Sequence, residues 1–139
     1  MQKLPKKPTA MGPADSFTGD VYLDGIRGAM DGSRLNMAHV HFAPGARTHW
    51  HSHPVGQTLF CTDGSGLVVS RDGTVLTIEP GQTVWIPPLE EHWHGAREDA
   101  FMAHLASQED DEEGEQVTWL EPVDDAEFAR ANTAARENG

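Results

Sequence analysis

All eight histidines of the chain fall between His39 and His104, mostly in alternation: His39 and His41, then His49, His51 and His53, then His92 and His94. Side chains alternate faces along an extended strand, so each cluster puts its imidazoles on one side of the chain. Imidazole nitrogens suit several divalent transition metals. Buried together with no cation among them, they would be costly. The strongest cluster is HSHPVGQ, where His51 and His53 stand two apart and a Pro-Val-Gly turn can return the chain so that Gln57 offers its amide oxygen. His92 must reach the same point from a separate strand. His51, His53, Gln57 and His92 are therefore the expected ligands of a divalent transition metal.

His94 shares the face of His92 if the strand stays extended. A neutral imidazole near pH 7 can accept and return a proton, which makes His94 the candidate catalytic group. His39 and His41, turned inward, would line the substrate pocket or stand behind the ligands; turned outward they would meet water. His49 is in phase with His51 and is expected at the same pocket, whereas His104 reads as a packing or hydrogen-bonded residue. Trp50 and Trp93 lie between histidines and must face away from them, to pack between sheets or subunits. Trp85, Phe42 and Phe60 read as wall or core residues, and Cys61 as a small thiol packed on an apolar strand.

The elements that must hold these groups are short and extended. Strand-like segments run from Thr18 to Leu23, Asn36 to Phe42, Thr58 to Thr62, Gly66 to Ser70, Val75 to Ile78, Thr83 to Ile86, His92 to Ala96 and Phe101 to Ala106. Turn pairs punctuate them, and Asp72-Gly73 predicts a hairpin with a type I′ turn. No helix-period segment precedes about Asp124, after which DDAEFARANTAAR can form a short helix with acidic residues at its start. Many short strands with almost no helix imply an all-β sandwich or barrel, and a small barrel can hold one compact ligand or metal. The run QEDDEEGE from Gln108 to Glu115 reads as a solvated loop. The proline-rich start, charged by Lys3, Lys6 and Lys7, reads as an arm that frays or drapes over a partner subunit. The expected organisation is an arm over 1–16, a barrel over 17–121 and a helix with tail over 122–139.

A chain of 139 residues fits one domain. Its net charge of -12 argues against nucleic acid, whose phosphates demand a basic surface, and against anionic lipid. A single cysteine excludes an intrachain disulfide. No apolar run approaches the roughly 20 residues of a membrane span, and the N-terminus lacks an apolar signal core, so a cytoplasmic setting is expected. Open sheet edges and the arm need cover, which predicts a homodimer or homotetramer.

PGARTHWHSHPVGQTLFCTDGSG, around Gly45 to Gly64, resembles the first cupin motif, with Gln57 where glutamate is usual. GQTVWIPPLEEH, from Gly81 to His92, resembles the second, with Leu89 where glycine is common. The resemblance implies a double-stranded β-helix, a jelly-roll-like barrel with a divalent metal on His51, His53, Gln57 and His92. Further marks at Gly12 to Asp15, Phe17 to Gly19, Pro44 to Thr58, His92 to Gly95 and Trp119 to Glu121 are similar to manganese-dependent cupins that act as bacterial hydroxynitrile lyases. That likeness implies manganese, with iron, nickel or zinc as alternatives, and cleavage of cyanohydrins to aldehyde and hydrogen cyanide with His94 as the acid-base group. The neutral Gln57 leaves the cation its full +2 charge, so the small-molecule substrate is expected to bind as an anion. The competing readings are a cupin dioxygenase acting on a small organic substrate and a small-molecule-binding cupin that turns nothing over.

Overall fold

The computed structural model describes residues 1–138; Gly139, the end of the expected tail, lies outside the described residues. The strands are β1 (Ala10–Met11), β2 (Phe17–Thr18), β3 (Val21–Arg27), β4 (Leu35–Phe42), β5 (Arg47–Thr48), β6 (His51–Ser52), β7 (Gln57–Gly64), β8 (Gly66–Ser70), β9 (Val75–Ile78), β10 (Thr83–Ile86), β11 (His92–Ala96), β12 (Met102–Glu109) and β13 (Thr118–Trp119), followed by helix α1 (Asp125–Asn138). The segment expected as one strand from Thr18 to Leu23 breaks after Thr18, where Gly19 takes φ +83°. Ala10–Met11 of the N-terminal arm pairs with β3 of its own chain.

Two sheets form the barrel. One has the order β1-β3-β4-β12-β7-β10; the other runs β13-β6-β11-β5-β2, with β8 also on β11 and β9 on β8. The apolar side chains pack between them in period two: Val40 and Phe42 from β4, Leu59 and Cys61 from β7, Met102 and Ala106 from β12, against Val68, Ile78 and Ala96. Phe42 is thus core, as expected. Phe60 and Trp85 are not: they take the outward positions of β7 and β10 and are 40% and 58% exposed.

A second apolar cluster lies outside the barrel. Leu67, Val69 and Trp93 face α1, whose Phe128, Ala131 and Ala135 cover them, and Trp50 joins this cluster. The two tryptophans therefore pack beneath the helix and not between sheets or subunits. Asp124 caps the helix by accepting the Glu127 N–H at 2.8 Å. The buried Arg47 of β5 pins the helix start, donating to the Val123 carbonyl at 2.8 Å while its guanidinium lies 4.4 Å from the Phe128 ring centroid.

The hairpin between β8 and β9 forms as expected, with a different turn. Gly73 takes φ +91° while Asp72 does not, and the Gly73 N–H donates to the Ser70 carbonyl at 3.1 Å. This is a type I turn followed by a left-handed glycine, not type I′.

Leu89 has φ +67°, which explains why glycine is common at this motif position. The loop adopts this conformation so that the Leu89 N–H can donate to the His53 carbonyl at 2.9 Å. A left-handed non-glycine residue costs roughly 1–2 kcal/mol, of which the greater freedom of unfolded glycine returns about 0.5–1. The Leu89 side chain is 71% exposed and gives up little packing. Leu89→Gly is therefore expected to stabilise the fold by up to about 1 kcal/mol, seen as a higher urea midpoint at unchanged slope. A lower midpoint would show that the leucine side chain holds the loop.

Candidate metal centre

His51 and His92 are direct partners across the pairing of β6 with β11, which sets their rings 4.3 Å apart. Close approach of β11 to β5 requires Gly95, where an added Cβ would lie 2.6 Å from the Arg47 Cα. His53 follows β6, and Gly56, at φ +83° beneath the Trp85 ring, turns the chain so that Gln57 opens β7 beside it. The result is that one ring nitrogen from each of His51, His53 and His92 lies within 4.8 Å of the others.

The other nitrogen of each ring is tied to the backbone. His51 Nδ1–H donates to the His49 carbonyl at 2.9 Å, His92 Nδ1–H to the Glu90 carbonyl at 2.9 Å, and His53 Nδ1–H to the Gln116 carbonyl at 2.7 Å. This fixes the tautomers and leaves each Nε2 with its lone pair turned inward. His53 Nε2 is buried without a protein partner. The Gln57 Oε1 sits 3.1 Å from His92 Nε2, so two lone-pair-bearing atoms face each other. Buried acceptors that converge on one another without a donor are what a cation among them would satisfy. The donor set fits a divalent transition metal.

Beside the three histidines and Gln57 is a cavity of about 210 Å³, walled by Phe17, Val40, Ala106, Val117 and Trp119. His94 borders it, and its Nε2 has no protein partner. Its Nδ1 is 3.0 Å from Nε2 of His104, and the Thr48 hydroxyl accepts the His94 backbone N–H at 3.1 Å. His104 is hydrogen-bonded, as expected, but it also borders the cavity. Gln108, Gln116 and Trp119 were missed by the sequence reading. Gln108 continues the inward alternation of His104 and Ala106 along β12, so a longer strand assignment would have found it. Gln116 arrives through a loop, and Trp119 sits on the two-residue β13, too short to carry a periodic signal.

Of the three histidines read as lining the pocket or standing behind the metal-binding residues, none lines the cavity. On β4 the inward positions belong to Ala38 and Val40, and period two sends His39 and His41 outward. There His39 Nε2 meets the Thr62 hydroxyl at 2.8 Å and His41 Nε2 lies 3.5 Å from the Asp24 carboxylate. His49 is buried, but the chain leaves β5 at Thr48 and re-enters extended structure only at His51, so its phase with His51 is lost. Its backbone serves instead: the N–H donates to the Ser16 carbonyl and the carbonyl orients His51.

Residues 38–107 match the cupin domain family. The chain belongs to the cupin family. An (R)-mandelonitrile lyase from Granulicella tundricola is 44% identical over 130 residues, spanning 94% of this chain and 98% of that protein. A cupin-like protein from Thermotoga maritima has a solved structure that superposes with a TM-score of 0.80 at 35% identity, over 88% of this chain and 92% of that one. A cupin-2 domain protein from Rhodospirillum rubrum, at 16% identity and a TM-score of 0.67 over 95% of this chain and 88% of that one, shares the fold. Among the described residues of this cupin, no helix is long and apolar enough to cross a membrane.

Burial sets the charge state of the centre. Desolvation, reinforced by neighbouring imidazoles, pushes the pKa of His51 and His94 well below the ordinary histidine value. Desolvation lowers His53 as well, and takes His92 and His104 down to about 4. All five are therefore neutral at pH 7, the form in which imidazole binds a metal. In the unfolded chain they protonate near 6.5, so between about 4 and 6.5 the unfolded state holds more protons. Stability that is complete above 6.5 is lost as pH falls through that window. Urea midpoints of the metal-free cupin at pH 7.5, 6 and 5 should fall steadily, and a flat profile would show that these rings are more hydrated than their burial indicates.

Proposed function

We propose that this cupin is a metal-dependent hydroxynitrile lyase, cleaving cyanohydrins to an aldehyde and hydrogen cyanide. The observation that supports it best is the position of His94: a buried neutral imidazole whose free Nε2 borders the same cavity as three converging histidine lone pairs and the Gln57 oxygen. His51, His53 and His92, each through Nε2, and Gln57 through Oε1 would hold the cation, for which the resemblance favours manganese. When bound, a divalent cation among four neutral donors keeps its full charge and supplies attraction for an oxyanion or for cyanide.

With its Nδ1–H donated to His104, His94 turns the lone pair of Nε2 toward the cavity. In that state it can take the hydroxyl proton of a cyanohydrin. The oxygen electrons form the aldehyde carbonyl as the carbon–carbon bond breaks, and the bonding pair leaves on cyanide. His94 then returns the proton from Nε2 to give hydrogen cyanide. The imidazolium formed in between keeps its hydrogen bond to His104. The walls Phe17, Val40 and Trp119 suit an aryl or alkyl side chain, in keeping with the substrate in the name of the Granulicella relative.

The test uses mandelonitrile as the probe, with cyanide release measured in air and under nitrogen. Equal rates in both are expected, together with a loss of about 10²-fold or more in kcat for His94→Ala at unchanged metal content. His51→Ala and His92→Ala should instead lose stoichiometric metal. Absence of cyanide release from mandelonitrile and a panel of alkyl cyanohydrins, or a requirement for oxygen, would overturn the proposal.

A further inference from the structure

An amide has two unlike ends. Gln57 can serve a cation only with Oε1 turned inward, because Nε2 would present hydrogens to it. We propose that Gln108 and Gln116 form a relay of side-chain amides that holds the Gln57 oxygen toward the metal centre, and that both are positioning residues of that centre. The inference rests on the metal site proposed above and adds residues that the cupin motifs do not contain.

The relay is a directed chain of hydrogen bonds. Gln57 Nε2 donates to Gln108 Oε1 at 3.1 Å, and Gln108 Nε2 donates to Gln116 Oε1 at 2.9 Å. No amide in the chain can turn alone, since its oxygen would then face its neighbour's oxygen or its NH2 its neighbour's NH2. The three turn together or not at all, and with lone pairs of His53 and His92 gathered around one point, a cation there would favour the arrangement seen. Gln116 acts twice, because its backbone carbonyl also takes the Nδ1–H of His53 at 2.7 Å. One residue thus orients two of the four donors.

Gln116 is delivered by the acidic loop. The N–H groups of Glu113 and Glu115 both donate to the Asp111 carboxylate at 2.9 Å, and the Asp111 N–H donates to the Glu115 carbonyl at 2.8 Å. A side-chain-capped turn of this kind sets the exit direction of the chain. The run from Gln108 to Glu115 was expected as a solvated loop; its first two residues instead belong to β12, Gln108 reaches the centre, and Gln116 follows directly after the run.

The test reads metal affinity, with Mn2+ and Zn2+ as probes competed against a chromophoric chelator. Gln108→Leu and Gln116→Leu should each weaken binding by about tenfold, the scale at which groups behind metal ligands act. The decisive comparison places Gln108→Leu on a Gln57→Glu background. A carboxylate has two equivalent oxygens and needs no orienting, so the loss should shrink well below its value with Gln57. An equal loss on both backgrounds would assign Gln108 to packing and overturn the relay, as would wild-type affinity in both leucine variants. His51→Ala in the same assay separates the two readings: if it binds as wild type, the metal site itself is wrong and the relay falls with it.

Discussion

Direction of lone pairs is the constraint on which the centre depends. A neutral imidazole offers one nitrogen as a ligand only when its other nitrogen carries the proton, and a buried N–H needs an acceptor. In this cupin all three acceptors are backbone carbonyls. Two are local: His51 and His92 each donate to the residue two before them, so the strand entry that places the ring also sets its tautomer. The third is distant, since His53 relies on Gln116 across a separation of 63 residues. The centre is therefore partly built into its motifs and partly completed by a loop near the end of the barrel.

Dryness links the fold to the chemistry. The six-stranded sheet closes over the other with aliphatic side chains packed in period two, and the same closure strips water from the histidines. Desolvation then keeps them neutral, the form in which an imidazole nitrogen offers a lone pair. The short β5 contributes at three points at once. Arg47 anchors α1, Thr48 accepts the His94 backbone N–H, and the absence of a side chain at Gly95 lets the strand approach β11. A helix on the far side of the sheet is thereby tied to the strand that carries His92 and His94.

The fold was legible from short-range periodicity, and so was the convergence of His51 and His53, which His92 joins from a separate strand. Alternation puts His51 and His53 together, the Pro-Val-Gly turn returns Gln57, and apolar alternation marks the barrel strands. What could not be read depends on phase and on loops. His39 and His41 alternate as cleanly as the ligands do, yet nothing in the residues says which face is inward; Ala38 and Val40 occupy the cavity side. His49 loses its phase where extended structure lapses between β5 and β6. Gln116 comes to the site through tertiary placement of a loop, which carries no period at all, and Trp119 through a strand of two residues, too short to show one. Leu89 is the converse: it departs from the motif, but the motif's glycine correctly marks a left-handed position.

The replacement of glutamate by Gln57 has a structural counterpart. A carboxylate presents equivalent oxygens however it rotates, so a glutamate there would need only to be near. An amide removes the negative charge from the centre but introduces a wrong way round, and inside a dry barrel either end left without a partner is costly. Neutrality at this position thus demands that a neighbour accept a hydrogen bond from the amide nitrogen, and the neighbour must in turn be held. Gln108 on β12 and Gln116 beyond the acidic loop meet that demand with their own amides. The electrostatic character of the centre and the geometry of a loop many residues away are in this way one problem, joined by the direction of a single hydrogen bond.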